Sequence, residues 1–140
     1  MTLDLARLLV DFGFVVLIWA VQLVIYPSFN YYSKENLFTW HKSYTARVTL
    51  IVLPLMFSQL ILATIQLFSF QNWYSVSSIL IIVILWLLTF LVFVPLHQGI
   101  DNEKPVKDAC LKLVKINWSR TILWTLLFAI SFTYYFLIEK

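Results

Sequence analysis

The stretch WYSVSSILIIVILWLLTFLVFVP, from Trp73 to Pro95, contains no charged residue. A helix needs about 20 apolar residues to cross a bilayer core about 30 Å thick, so this stretch reads as a membrane span. Working outward, three further runs of similar length appear at Leu8 to Tyr26, Val48 to Phe70 and Thr121 to Ile138. The whole chain is 61% hydrophobic and 12% charged, with a mean hydropathy of +0.86. A soluble domain carries about a quarter charged residues, so that class is excluded. The expected architecture is all-α: a single four-transmembrane-helix bundle over residues 1–140, both termini on the same side, with helices near 5–27, 40–70, 73–96 and 105–138.

Tyr26-Pro27-Ser28-Phe29 follows the first run in place of a small-residue cleavage site, so that run reads as a retained helix. The lone cysteine, Cys110, excludes an internal disulfide and a thiolate metal cluster, and reads as a small residue on a surface helix. Loop charge sets the expected orientation. Lys34, Lys42, Arg47, Lys104, Lys107, Lys112, Lys115 and Arg120 gather on one side, against Arg7 and Lys140 on the other. By the positive-inside rule the crowded side is cytoplasmic and both termini are outside. The net charge of +3 is thus topological, and no interleaved basic and aromatic surface remains for nucleic acid.

Asp4, Arg7 and Asp11 recur at helical spacing and read as an ion-paired stripe near the outer surface. Pro27 is expected to end the first helix, because proline disfavours the α region at the residue before it. Thr39 reads as the N-cap of the second helix, which Pro54 should kink. Gln59 and Gln66 lie at membrane depth, where amides form interhelical hydrogen bonds. A loop is expected from Gln98, with Asn102 capping and Pro105 opening the fourth helix.

The polar residues that remain converge at one end. Gln22 and Tyr26 sit near the end of the first run; Trp40, His41, Tyr44 and Arg47 open the second helix; His97 follows the third run; Asn117, Trp118, Arg120, Thr121 and Trp124 enter the fourth. Asn117, Arg120, Thr121 and Trp124 fall on one helical stripe, whereas Trp40 and Trp118 read as aromatic-belt residues. Together these side chains describe a basic, hydrogen-bonding pocket suited to an amphipathic, oxygen-rich or anionic ligand. No carboxylate is expected within it, which argues against di-iron carboxylate and glycosidase-type chemistry. Two histidines are too few for a closed zinc site, so no metal site is expected, though the pair leaves a bis-histidine haem open.

Val94-Pro95-Leu96-His97 followed by Asn117-Trp118-Ser119-Arg120-Thr121 resembles the C-terminal half of the bacterial four-helix membrane proteins grouped with anthrone oxygenases. Val21-Gln22-Leu23-Val24-Ile25-Tyr26-Pro27 and Trp40-His41-x-x-Tyr44-x-x-Arg47 look like segments of an uncharacterised branch within or near that group. His97 stands where the family more usually has asparagine. The resemblance implies a bacterial cytoplasmic-membrane protein and a phenolic, polycyclic or quinone-like substrate. It also implies His41 or His97 as general base, Arg47 or Arg120 with Asn117 stabilising an oxyanion, and reaction with oxygen without a cofactor. The residues themselves favour binding of an amphipathic organic, lipid or quinone-like ligand. Open alternatives are the oxygenase-like enzyme, a haem protein, a small subunit of a larger membrane complex, and a homo-oligomer.

Overall fold

The computed structural model describes residues 2–102 and 106–138. Four helices follow one another: α1 (Leu3–Tyr31), α2 (Lys34–Ser69), α3 (Trp73–Asp101) and α4 (Val106–Thr133), the last prolonged by a π-turn over Tyr134–Ile138. All four are long and apolar enough to cross a membrane. Each packs on its neighbour in sequence, and α1 packs most extensively on α4, which closes the bundle. Pro105, expected in the first turn of the fourth helix, lies outside the described residues, as do Lys104, Lys140 and the side chain of Lys107.

The distribution of polarity suits a lipid solvent. Leu50, Phe68, Leu91, Ile122 and Leu137 face outward, while Arg7, Asp11, Gln22, His41, Gln59, Gln66, Asn117 and Arg120 are buried. Hydrocarbon offers such groups no partner, so they must find one another inside the bundle.

The helix boundaries differ from expectation at three places. The second helix begins at Lys34 because Ser33, and not Thr39, is its N-cap: Ser33 Oγ accepts the Asn36 backbone N–H at 3.4 Å. Thr39 sits inside the helix, where its hydroxyl donates back to the Glu35 carbonyl at 3.2 Å. The third helix does not stop before Gln98. It continues through Gly99 to Asp101, and Asn102 ends it as a C-cap, its N–H bonding back to the Gln98 carbonyl at 2.9 Å.

Pro27 does not end α1 either. A π-turn over Val21–Ile25 precedes it, and Tyr26 keeps right-handed helical backbone. The same device recurs in α3, with a π-turn over Thr89–Phe93 ahead of Pro95. Proline removes one backbone donor and crowds the carbonyl four residues back. The wider turn is a local way to accommodate both effects without breaking the helix.

At the end of the bundle that holds the start of α1, the polar residues form a connected network. Arg7 Nε donates to both carboxylate oxygens of Asp11, at 3.0 and 3.1 Å, and Arg7 Nη1 donates to Gln66 Oε1 at 3.1 Å. Gln66 Nε2 reaches Asp4 at 2.7 Å, Gln59 Nε2 reaches Asp11 at 2.6 Å, and the Ser131 hydroxyl donates to Asp11. The expected pairing of Arg7 with Asp11 is present, but the pair is fully buried and not interfacial. The two glutamines make the interhelical bonds expected of them. Asn72 and Ser75 form a capping box at the start of α3, which fixes the tight turn from α2 on the same side.

Candidate functional site

At the opposite end, the segments beyond the two π-turns bring Tyr26 of α1 and His97 of α3 together. Tyr26 Oη lies 2.9 Å from His97 Nε2. His97 Nδ1 lies 2.9 Å from His41 Nε2 on α2, and the two imidazoles stack with centroids 5.0 Å apart. His41 Nδ1 then lies 2.7 Å from Asp101 Oδ1. The shared depth of the two histidines thus becomes direct contact.

Asp101 is the residue that sequence reasoning missed. The expectation of a carboxylate-free cluster is corrected because Gly99 and Asn102 suggested a loop where the chain is helical. Within a helix, Asp101 follows His97 by four residues and occupies the same face.

From Tyr26 the network continues into α4. Arg120 Nη2 donates to Tyr26 Oη at 3.0 Å, while Arg120 Nε and Nη2 donate to Asn117 Oδ1 at 2.9 and 2.6 Å. Asn117 Nδ2 donates to Gln22 Oε1 at 2.9 Å, Thr121 Oγ1 donates to the same oxygen at 3.3 Å, and Gln22 Nε2 closes on the Val114 carbonyl at 3.2 Å. The Arg120 guanidinium carbon also lies 3.3 Å from the Phe93 ring centroid. A buried cation gains from such a face, which offers it negative electrostatic potential without competing for its hydrogen bonds.

Partner identity fixes the proton order. A carboxylate accepts, so His41 presents Nδ1–H to Asp101 and, when neutral, leaves Nε2 as acceptor. His97 must then donate from Nδ1 and accept at Nε2. Tyr26 in turn donates its hydroxyl to His97 and accepts from Arg120. With Asp101 as the carboxylate and His41 neutral, donor and acceptor capacities give this order, and it satisfies every bond from Asp101 to Asn117.

Of the other expected members, Arg47, Trp40 and Trp118 lie away from the network, whereas Tyr44 and Trp124 line the cavity beside it. Arg47 is exposed on α2 and joins no hydrogen bond among the described residues. Spaced six residues from His41, it projects from a different face. Trp40 and Trp118 are exposed, as belt residues would be, and neither lines the site. Trp124 is buried, stacks on Phe14 with centroids 4.6 Å apart, and donates Nε1 to Gln59 Oε1 at 3.3 Å. Tyr44 is buried, with its ring edge-on to Phe29. Cys110, expected on a surface helix, is buried.

Beside the network lies a cavity of about 290 Å³. Its walls are largely apolar, with Phe14, Val21, Val52, Met56, Phe90 and Phe93 among them, and Tyr26, Tyr44, His97, Asp101 and Arg120 supply polar groups. Thr89 also lines it, and its buried hydroxyl has no partner among the described residues. In α-helices such a hydroxyl usually bonds back to its own helix, so this one is available to something else.

Among the described residues, no group of three His, Cys, Asp or Glu side chains is arranged to hold a metal ion. Nor do the two histidines fit as axial haem ligands. Their facing nitrogens bond directly to each other, and their outer nitrogens are held by Asp101 and Tyr26. No protein-family model, curated protein or solved structure matches this chain.

Proposed function

We propose that this is a small integral membrane protein that binds an amphipathic organic, lipid or quinone-like molecule in the bundle, beside the histidine network. The observation that carries the reading is the cavity: about 290 Å³, largely apolar along its walls, with Tyr26, His97 and Arg120 among its lining. A ligand's apolar body would lie against Phe14, Val52 and Met56, and its oxygen-bearing head would meet the phenol and guanidinium. Such sites draw affinity from apolar enclosure and orientation from a few convergent polar groups. The eight-to-two division of lysine and arginine along the sequence supports a cytoplasmic position for this end with both termini outside, and the sequence resemblance alone suggests a bacterial inner membrane.

The test is purification in a mild detergent, followed by extraction and mass analysis of what remains bound. Wild-type protein should retain an amphipathic organic molecule in near-stoichiometric amount, and Val52→Trp, which fills the cavity, should lose it. Equal retention by the two proteins would overturn the reading.

A second reading, oxygenation of a phenolic or polycyclic substrate, draws support from one observation. Tyr26 is held between an imidazole and a guanidinium, which is a setting that favours oxyanions.

A further inference from the structure

The two polar networks of this bundle are built from different chemistry. At the end holding the start of α1, Arg7, Asp11, Gln59 and Gln66 are joined by a cation, a carboxylate and amides. Amides hold helices together well, but they cannot pass a proton along without becoming an imidic acid. At the other end, two imidazoles stand in series between a carboxylate and a phenol. Each imidazole can accept a proton at one edge while releasing one from the other.

Burial sharpens the contrast. The His41 side chain is completely buried, whereas the Asp101 side chain is 28% exposed. His41 is also absent from the cavity wall, which Tyr26, His97 and Asp101 line. A residue that touches neither ligand space nor solvent, yet bonds to one residue on each side, serves as a link.

We propose that Asp101, His41, His97 and Tyr26 form a proton relay that carries the proton of a cavity-bound ligand out to the end of α3, and that the ligand is a weakly acidic aromatic hydroxyl compound of the phenol class. This rests on the reading of the cavity as a ligand site. Tyr26 passes its hydroxyl proton to His97 Nε2, His97 passes Nδ1–H to His41 Nε2, and His41 passes Nδ1–H to the Asp101 carboxylate. Tyr26 then takes the proton of the ligand's O–H. Four bonds to hydrogen break and four form, both imidazoles end neutral with the opposite nitrogen protonated, and no group is oxidised or reduced. Asp101 now donates to His41, each imidazole donates toward the cavity, and Tyr26 donates to the ligand anion. The reversed chain is as fully bonded as the original. Release of the ligand runs the same steps backward, so no ring needs to turn over.

The Arg120 guanidinium gives the relay its purpose. It donates to the Tyr26 oxygen at 3.0 Å and lines the cavity, so an anion at either oxygen meets the same cation. A neutral alcohol would gain nothing from this, whereas an acidic phenol would be held as its anion.

The probes are 2-naphthol, whose anion absorbs at longer wavelength than its neutral form, and its methyl ether, which has no proton to give. Both are titrated at neutral pH into the full chain in nanodiscs. For the wild type, bound naphthol should be at least tenfold more ionised than in protein-free nanodiscs. Asp101→Asn removes the final acceptor and His41→Gln removes the link, while both keep hydrogen-bonding groups in place. In each, the bound anion signal should fall about tenfold, and the ratio of naphthol to ether affinity should fall with it. The two variants break the relay at different points, so either one, properly folded, decides the matter. Persistence of the anion in a folded variant would overturn the relay. Naphthol bound but neutral in the wild type would overturn the relay and leave the ligand site standing, whereas binding of neither probe would overturn both for this ligand class.

Discussion

Replacing Arg7 by methionine is the sharpest probe of what holds the bundle together. Arg7 is fully buried and donates twice to Asp11 and once to Gln66. Its loss leaves Asp11 with only Gln59 and Ser131 as donors among the described residues, and leaves Gln66 Oε1 without its Arg7 donor. Two magnitudes compete. Interhelical hydrogen bonds in membranes average about 0.6 kcal/mol each, which would make the change mild. Removing one partner from a buried ion pair costs about 3–5 kcal/mol, because the remaining charge is uncompensated. The second effect should win, since both side chains are inaccessible and no other cation joins this network among the described residues. The double variant Arg7→Met with Asp11→Leu, in which both charges are removed, should recover about 2 kcal/mol or more relative to the sum of the single changes. Unfolding in mixed micelles of a mild detergent and dodecyl sulfate measures all three. A cost for Arg7→Met below about 1 kcal/mol, or an additive double variant, would refute the argument and mean that the pair is hydrated.

Other expectations follow from the remaining geometry. His41→Ala and His97→Ala should be non-additive in thermal stability, coupled by about 0.5–3 kcal/mol, whereas either combined with Arg47→Ala should be additive. Ser33→Ala should destabilise by about 0.5–2 kcal/mol through loss of the α2 cap, while Thr39→Ala should be close to neutral; the reverse order in the same unfolding assay would restore the later helix start. Because Cys110 is buried, topology is better read from Lys112→Cys in a Cys110→Ser background: an impermeant maleimide added to intact cells should fail to label it, and labelling would invert the proposed orientation.

The spans are legible in the sequence because lipid imposes length and apolarity on every residue of a run, so Trp73 to Pro95 announces itself without knowledge of its neighbours. The meeting of the helices is less so. His41 and His97 share a depth that spacing reveals, but their contact depends on how α2 and α3 are rotated. Asp101 is hidden by local chemistry: glycine and asparagine favour turns, and here the packing of the last turn of α3 overrides that preference. Arg7 and Asp11 are readable as a pair at helical spacing. Their burial is not, because it depends on Gln59, Gln66 and Ser131, which only the closed bundle brings alongside. Arg47 shows the opposite limit. A basic residue at the end of an apolar run looks the same in sequence whether it turns inward, as Arg120 does, or outward.

The π-turns at Val21–Ile25 and Thr89–Phe93 have a consequence for how such a protein can change. Each amounts to one extra residue in an otherwise regular helix, and a residue in an α-helix occupies about 100° of rotation. An insertion in a regular helix would swing everything beyond it by that angle, but the wide turn absorbs the residue locally, so deleting a single residue from either turn would restore a regular α-helix with the segments on both sides facing much as they do now. Arg7 and Asp11 lie before the turn in α1, and Tyr26 lies after it. The half of the bundle that holds Arg7 and Asp11 and the half that holds Tyr26 and His97 can thus gain or lose that residue between them without turning away from each other.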